Sequence, residues 1–166
     1  MAAALVETFG AVHIDVTDLL LSTLRSQATN AGIDWNMILA ADAGAAADRE
    51  GLRGFVAQAI PTFIDAVDFA SGPVVLSDLS TLAAYGQLDV LGRWTDLTTP
   101  PRHSVWALIP QRLEGGGLPG SSIDGTRLPI NSPEQFVQID DTEVAALLDS
   151  VANSNGSTDS TVKEHA

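Results

Sequence analysis

The sequence contains no cysteine and only one lysine. Without cysteine the chain has no disulfide, no thiolate nucleophile and no cysteine-based zinc or iron–sulfur site. The lysine, Lys163, lies three residues from the C-terminus, outside the part of the chain that we expect to be ordered. The ordered part therefore lacks the lysine that a P-loop, a kinase or a Schiff-base enzyme requires.

Basic residues are scarce, and long apolar runs are missing. Acidic residues outnumber basic ones 21 to 8, which gives the 166-residue chain a formal net charge of -13. Nucleic acids and anionic membranes both repel such a surface, so we expect neither as a partner. No apolar run reaches the roughly 20 residues that span a bilayer. The lack of cysteine favours a cytoplasmic protein, and 166 residues, 45% of them hydrophobic, are enough for one sizeable core.

Apolar segments alternate with helical patterns along most of the chain. We predict a flexible N-terminus at 1–10, a single α/β domain at 11–152 that is loop-rich over 111–134, and a disordered tail at 153–166. The predicted strands are Ala11–Val16, Asn36–Ala41, Pro73–Ser77, Val105–Ile109 and Gln135–Ile139. Strands that alternate with helices are typical of parallel sheets. The expected fold is a mostly parallel sheet of about four to five strands with helices on both faces, in three layers.

The turns and helix ends carry further signals. Thr17 or Asp18 is the expected cap of the first helix, which Gly32 ends. Asp48 is the expected cap of the longest helix, which Pro61 kinks or splits because proline removes a backbone donor. Asp124-Gly125 favours a short hairpin turn.

Two aspartates, Asp42 and Asp78, each follow a predicted buried strand. Ligands of parallel sheets bind beyond the carboxyl ends of the strands, so both are candidate ligand- or partner-binding residues. Asp78 ends the run VVLSD either as the magnesium-binding acid of a P-loop ATPase or as a cap of the next helix. Asp42 either joins Asp78 in a metal site or holds the loop before Asp48.

Arg112 follows the strand Val105–Ile109 and is the cation best placed near the two acids, with a surface ion pair as its other interpretation. The glycine-rich segment GGGLPG at 115–120 precedes more turn residues rather than a helix, which favours a flexible connection over a phosphate cradle.

The remaining candidate chemistry is weak. The histidines, which are His13, His103 and His165, have no metal-ligand spacing. A triad built on Ser22, Ser77 or Ser80 lacks the G-x-S-x-G sequence of a nucleophile elbow. We therefore assign no catalytic residue and no metal ligand.

Five phrases of the chain are similar to a known family. They are VHIDVTDLLLSTLRSQA, IDWNMILAADA, GPVVLSDLSTLAAYGQLDVLGRWTDLTTP, VWALIPQ and DGTRLPINSPEQFVQID. In that order they resemble the C-terminal region of actinobacterial phage-growth-limitation (BREX type 2) defence proteins, most like the PglW-type kinase proteins, over roughly residues 11–140. The preference for arginine over lysine is typical of GC-rich genomes. The sequence has no H-R-D or D-F-G kinase motif, so no kinase residue is carried over.

The resemblance implies an accessory domain that contacts other subunits of a phage-defence assembly. Our first hypothesis is accordingly a noncatalytic or catalytically incomplete interaction or regulatory domain without a cofactor. The alternative is an incomplete P-loop-like half-domain, completed by another chain, in which Asp78 contacts Mg²⁺ and Arg112 lies near a nucleotide phosphate. A third hypothesis is a metal-dependent hydrolase that uses Asp42 and Asp78. If Asp42 and Asp78 lie at adjacent strand ends, the half-domain and the hydrolase are favoured. If both acids cap helices, the interaction domain is favoured.

Overall fold

The computed structural model describes residues 1–99, 101–110, 122–139, 142, 143, 145, 146 and 149. The helices are α1 (Ala2–Phe9), α2 (Val16–Asn30), α3 (Trp35–Asp42), α4 (Ala46–Ala57), α5 (Ile60–Asp68), α6 (Ser80–Ala84) and α7 (Gly92–Thr95), with 3-10 turns at Leu88–Leu91 and Pro133–Gln135. The strands are β1 (Val12–Asp15), β2 (Val74–Ser77), β3 (Val105–Ala107), β4 (Ser122–Ile123) and β5 (Thr126–Arg127). No helix in these ranges is long and apolar enough to cross a membrane.

The three longer strands form one parallel sheet in the order β1-β2-β3. Val74 of β2 is in register with Val12 on one side and with Val105 on the other. The α/β class is thus confirmed, but the parallel sheet has three strands among the described residues rather than four to five. The additional pair, β4 and β5, is antiparallel and separate.

The main core lies on one face of this sheet. Val74 and Leu76 point into it and meet apolar side chains of α2, α4, α5 and α6. Because the strands follow one another in chain order, both right-handed crossovers place their helices on this same face. The first helix, α1, covers the other face, where the ring of Phe9 meets that of Trp106 edge-on at 5.3 Å.

Two predicted strands are wrong. The segment Asn36–Ala41 lies within α3, because Asp34 caps the helix by accepting a hydrogen bond from the amide of Asn36 at 2.9 Å. Methionine, leucine and alanine in this segment are strong helix formers, which an apolar run without periodicity conceals.

The second wrong prediction is the strand at Gln135–Ile139. Ser132 and Pro133 start a 3-10 turn there, and the residues that follow have no strand partner among the described residues. The side chain of Gln135 is held by donating to the carbonyl of Thr95 at 2.8 Å and accepting from the amide of Asn131 at 2.8 Å. The segment is therefore fastened to α7 by its side chains rather than to the sheet by its backbone.

The proline and glycine residues that were expected to end or divide elements do so. Pro61 lies in the first turn of α5 and separates it from α4. Asp124 and Gly125 have φ of +48° and +79°, as a type I′ turn requires, and join β4 to β5. Gly32, with φ of +67°, follows α2.

Three expectations, one about the N-terminus and two about helix caps, need correction. The expected flexible N-terminus at 1–10 forms α1. The cap of α2 is Asp15 rather than Thr17 or Asp18. The longest predicted helix begins after Ala45, and Asp48 sits in its first turn, where the carboxylate accepts from the amide of Ala45 at 3.3 Å. The segment GGGLPG and the tail 153–166 lie outside the described residues.

Substitution of Phe63 tests whether the core lies where α5 packs against Trp94. Its side chain is fully buried and meets the Trp94 ring edge-on at 5.6 Å. Phe63→Ala should lower the free energy of unfolding by about 3–5 kcal/mol in chemical denaturation, because it removes a buried ring and leaves a cavity. The matched control is Phe69→Ala, since Phe69 is 72% exposed; it should change stability by at most about 0.5 kcal/mol. Similar losses for both variants would contradict this core.

Candidate functional site

The carboxyl ends of β1 and β2 present polar side chains next to one another. Asp15 and Ser77 are register partners in the last row of the two strands. His13 precedes Asp15 by two residues, so it lies on the same face of the sheet. Ligands of parallel sheets bind at this edge, which makes these three residues the first part of the candidate site.

Ser77 links the imidazole of His13 to the carboxylate of Asp15. The Nε2 atom of His13 lies 2.8 Å from the Oγ atom of Ser77, and this hydroxyl donates to Oδ2 of Asp15 at 3.5 Å. Because the hydroxyl has only one proton, Nε2 of His13 is the donor to Oγ when Ser77 donates to Asp15. In a hydrolase triad the imidazole stands between serine and carboxylate, whereas here the serine occupies the middle.

A second set of hydroxyls continues the site toward α6. The Thr17 hydroxyl donates to the backbone carbonyl of Asp78 at 3.1 Å and lies 2.7 Å from the Thr81 hydroxyl. Since Thr17 uses its only proton on the carbonyl, Thr81 is the donor to Thr17. These bonds join the start of α2 to the start of α6 and fix the two strand ends relative to each other.

Asp78 connects β2 to α6 in a left-handed backbone conformation, with φ of +47°. Its Oδ1 atom accepts from the amide of Ser80 at 3.4 Å and from the Ser80 hydroxyl at 2.5 Å. The Ser80 hydroxyl, together with Thr17 and the Ser80 amide, outweighs burial and lowers the pKa of Asp78 below its usual value. Of the two interpretations of Asp78, the geometry shows the one in which its carboxylate holds the start of the next helix.

Asp42 does not lie at a strand end, because the segment before it is α3. It is the last residue of that helix, and its Oδ1 atom accepts from the Tyr85 hydroxyl at 2.6 Å. Burial and then the hydrogen bond and charge of Asp42 raise the pKa of Tyr85 to about 12, against the opposing charge of Arg49. The premise that Asp42 and Asp78 follow neighbouring strands is therefore wrong.

The remaining predictions concern Arg112 and a possible metal site. Arg112 lies outside the described residues. Within the described ranges, no group of three or more His, Asp or Glu side chains is arranged to hold a metal ion. The carboxyl edge offers an alternation of hydrogen-bond donors and acceptors around the exposed imidazole of His13, which is suited to holding a polar group.

Sequence reasoning did not assemble His13, Asp15 and Ser77 into one site. The sequence does contain a signal for this site: His13 and Asp15 are two positions apart and therefore share one face of a strand, and Ser77 ends the next buried strand. The pairing register that brings Ser77 opposite Asp15 is a property of the folded sheet, so the sequence does not state it.

Tyr85 is the only tyrosine in the chain, so its titration can be followed directly by near-ultraviolet absorbance. We expect a midpoint at about 12 while the fold, monitored by circular dichroism, remains intact. Asp42→Asn should lower this midpoint, because it removes the charge that disfavours the phenolate, while the effect of burial remains. A folded wild type with the ordinary tyrosine midpoint, or an unchanged midpoint in Asp42→Asn, would contradict the Tyr85–Asp42 contact.

Asp78 should make stability depend on acid pH. Its pKa in the folded state is below the usual aspartate value of 3.8, so its contribution is fully present above that value and is lost as pH falls through the folded-state pKa. The difference in unfolding free energy between wild type and Asp78→Asn should thus stay constant at neutral pH and shrink in strong acid. In a Ser80→Ala background most of this pH dependence should vanish, because the Ser80 hydroxyl is its largest cause. A pH-independent difference in the wild-type background would refute the assignment.

Comparisons of the chain with protein-family models, with curated proteins and with solved structures found no match. They give no support to the resemblance described above, so the site has to be interpreted from its own geometry.

Proposed function

We propose that this chain is a protein-interaction domain that serves a BREX type 2 phage-defence assembly, without catalysing a reaction itself and without a cofactor. The observation that carries the proposal is the exposed apolar surface of α3. None of the eight residues of this helix is buried, and Met37 and Leu39 are 67% and 51% exposed. The preceding Ile33 is 40% exposed. We call Ile33, Met37 and Leu39 the α3 patch.

An apolar helix is normally buried by the core of its own domain. Exposed apolar side chains on a short helix therefore favour a surface that another molecule covers. Full burial of a leucine or methionine side chain contributes about 1.5–3 kcal/mol, so two or three such residues supply a large part of a moderate binding energy.

The α3 helix is held in place before any partner arrives. Its N-terminus is capped by Asp34, and its C-terminus is tied to α6 through Asp42 and Tyr85. The guanidinium of Arg25 lies 5.2 Å from the centre of the Trp35 ring, which joins the helix to α2. A surface that is already ordered loses less conformational entropy on binding.

Charge narrows the choice of partner. Acids stand at both ends of the α3 helix, Asp34 at its N-cap and Asp42 at its last residue, in a chain of net charge -13. A partner with an apolar surface bordered by lysine or arginine is complementary to this arrangement. We propose another protein of the same defence assembly in the cytoplasm as that partner, rather than a nucleic acid or a membrane.

The proposal can be tested with the proteins encoded beside this chain, purified and titrated against it by calorimetry. Leu39→Glu should weaken binding to one of them by about tenfold or more, because it places a charge on the proposed contact surface. The matched control is Leu97→Glu, since Leu97 is also exposed, at 68%, but lies outside the α3 patch. The control should bind like wild type.

Two results would overturn the proposal. One is the failure of every neighbouring protein to bind, and the other is equal binding of Leu39→Glu and wild type. A rise in melting temperature with Mg²⁺ and ATP that Asp78→Ala abolishes would instead favour the nucleotide-binding half-domain.

A further inference from the structure

A groove lies at the amino edge of the sheet, opposite the candidate site. Its volume is about 450 Å³. It is lined by Asp68, Phe69, Ala70, Ser71, Gly72, Arg102 and His103. Asp68 is the last residue of α5, and the others come from the loop before β2 and the loop before β3, which the hydrogen bond from the Val74 amide to the Ser104 carbonyl joins at 2.8 Å. The volume falls within the range of small-molecule sites, about 300–1,000 Å³.

The one carboxylate in the groove is already neutralised. Oδ2 of Asp68 accepts from Nε and Nη2 of Arg93 at 3.0 and 2.7 Å, and Oδ1 accepts from the Trp94 indole at 2.9 Å. Burial alone would raise the pKa of Asp68, but these bonds and the nearby charges of Arg93 and His103 lower it. Asp68 thus stays ionised while its charge is matched by Arg93.

Arg102 has no carboxylate partner among the described residues. The salt bridges of the described residues use Arg53 and Arg93, and Arg102 forms no hydrogen bond or ion pair with any of these residues. Arg25, Arg49 and Arg127 likewise form no salt bridge within these residues, and Arg102 is the one of the four that lines the groove. Together with the imidazole of His103, it gives the groove two side chains that can donate hydrogen bonds to an anion.

The wall of the groove adds an aromatic ring. Phe69 lines it and is 72% exposed, so its ring is open to a flat ligand. A guanidinium binds phosphate or carboxylate oxygens through two parallel N–H donors, and an aromatic ring favours an apolar planar group. The groove therefore combines one contact for an anion with one for an apolar ring.

We propose that this groove binds a small molecule in which a phosphate or carboxylate is attached to a planar apolar group, with Arg102 and His103 at the anion and Phe69 at the ring. This inference is independent of the α3 patch, which uses other residues, so either proposal can fail alone.

The test is a titration of the full chain followed by the backbone amide NMR signals of Gly72 and His103. Phenyl phosphate should give saturable shifts and bind more tightly than inorganic phosphate, while benzyl alcohol, which lacks the charge, should give no saturable shift. Benzoate in place of phenyl phosphate shows whether carboxylate or phosphate is preferred.

Arg102→Gln should weaken phenyl phosphate binding by about tenfold or more, because it removes a charge-assisted pair of hydrogen bonds, and Arg102→Lys should recover part of the loss. Arg127→Gln is the matched control, since Arg127 is an exposed arginine on β5, away from the groove lining. It should bind like wild type. Equal weakening by both glutamine variants, or no saturable shift with phenyl phosphate, would overturn the proposal.

Discussion

The pairing of β2 between β1 and β3 is the constraint on which the rest of the molecule depends. Val74, Val75 and Leu76 are completely inaccessible to solvent. A strand buried on both faces and paired on both edges has no freedom of register, because a shift by one residue would exchange the side chains of its two faces. The end of this strand therefore fixes where Ser77 and Asp78 stand, and its beginning fixes the loop that lines the amino-edge groove.

The two edges of this sheet have different chemistry. At the carboxyl edge, hydroxyls and carboxylates satisfy one another through Thr17, Ser77, Asp78 and their partners, which fastens the strand ends to α2 and α6. At the amino edge, Asp68 is neutralised and Arg102 is left without a partner among the described residues. The α3 patch provides a third surface, apolar and bordered by acids. A small domain thus separates an ordered polar network from two surfaces suited to binding.

Local sequence signals predicted the elements in which one residue type has a dominant physical effect. Three β-branched or apolar strands, the division at Pro61 and the Asp-Gly hairpin turn all occur as predicted. The prediction failed at Asn36–Ala41, where an apolar run fits a buried strand and a helix equally well, and the cap at Asp34 decided for the helix. It failed again at Gln135–Ile139, where the side chain of Gln135 bonds to α7.

By itself, the sequence determined the chemical limits of this protein: the acidity, the lack of cysteine chemistry, the lack of any lysine other than Lys163, and the local turns and strands. Only the tertiary structure decided which residues meet. It separated Asp42 from the strand ends, joined His13 to Ser77 across two strands, and left Arg102 beside a neutralised Asp68. The physical reason is that composition and capping act within a few residues, whereas register and packing join residues about sixty positions apart.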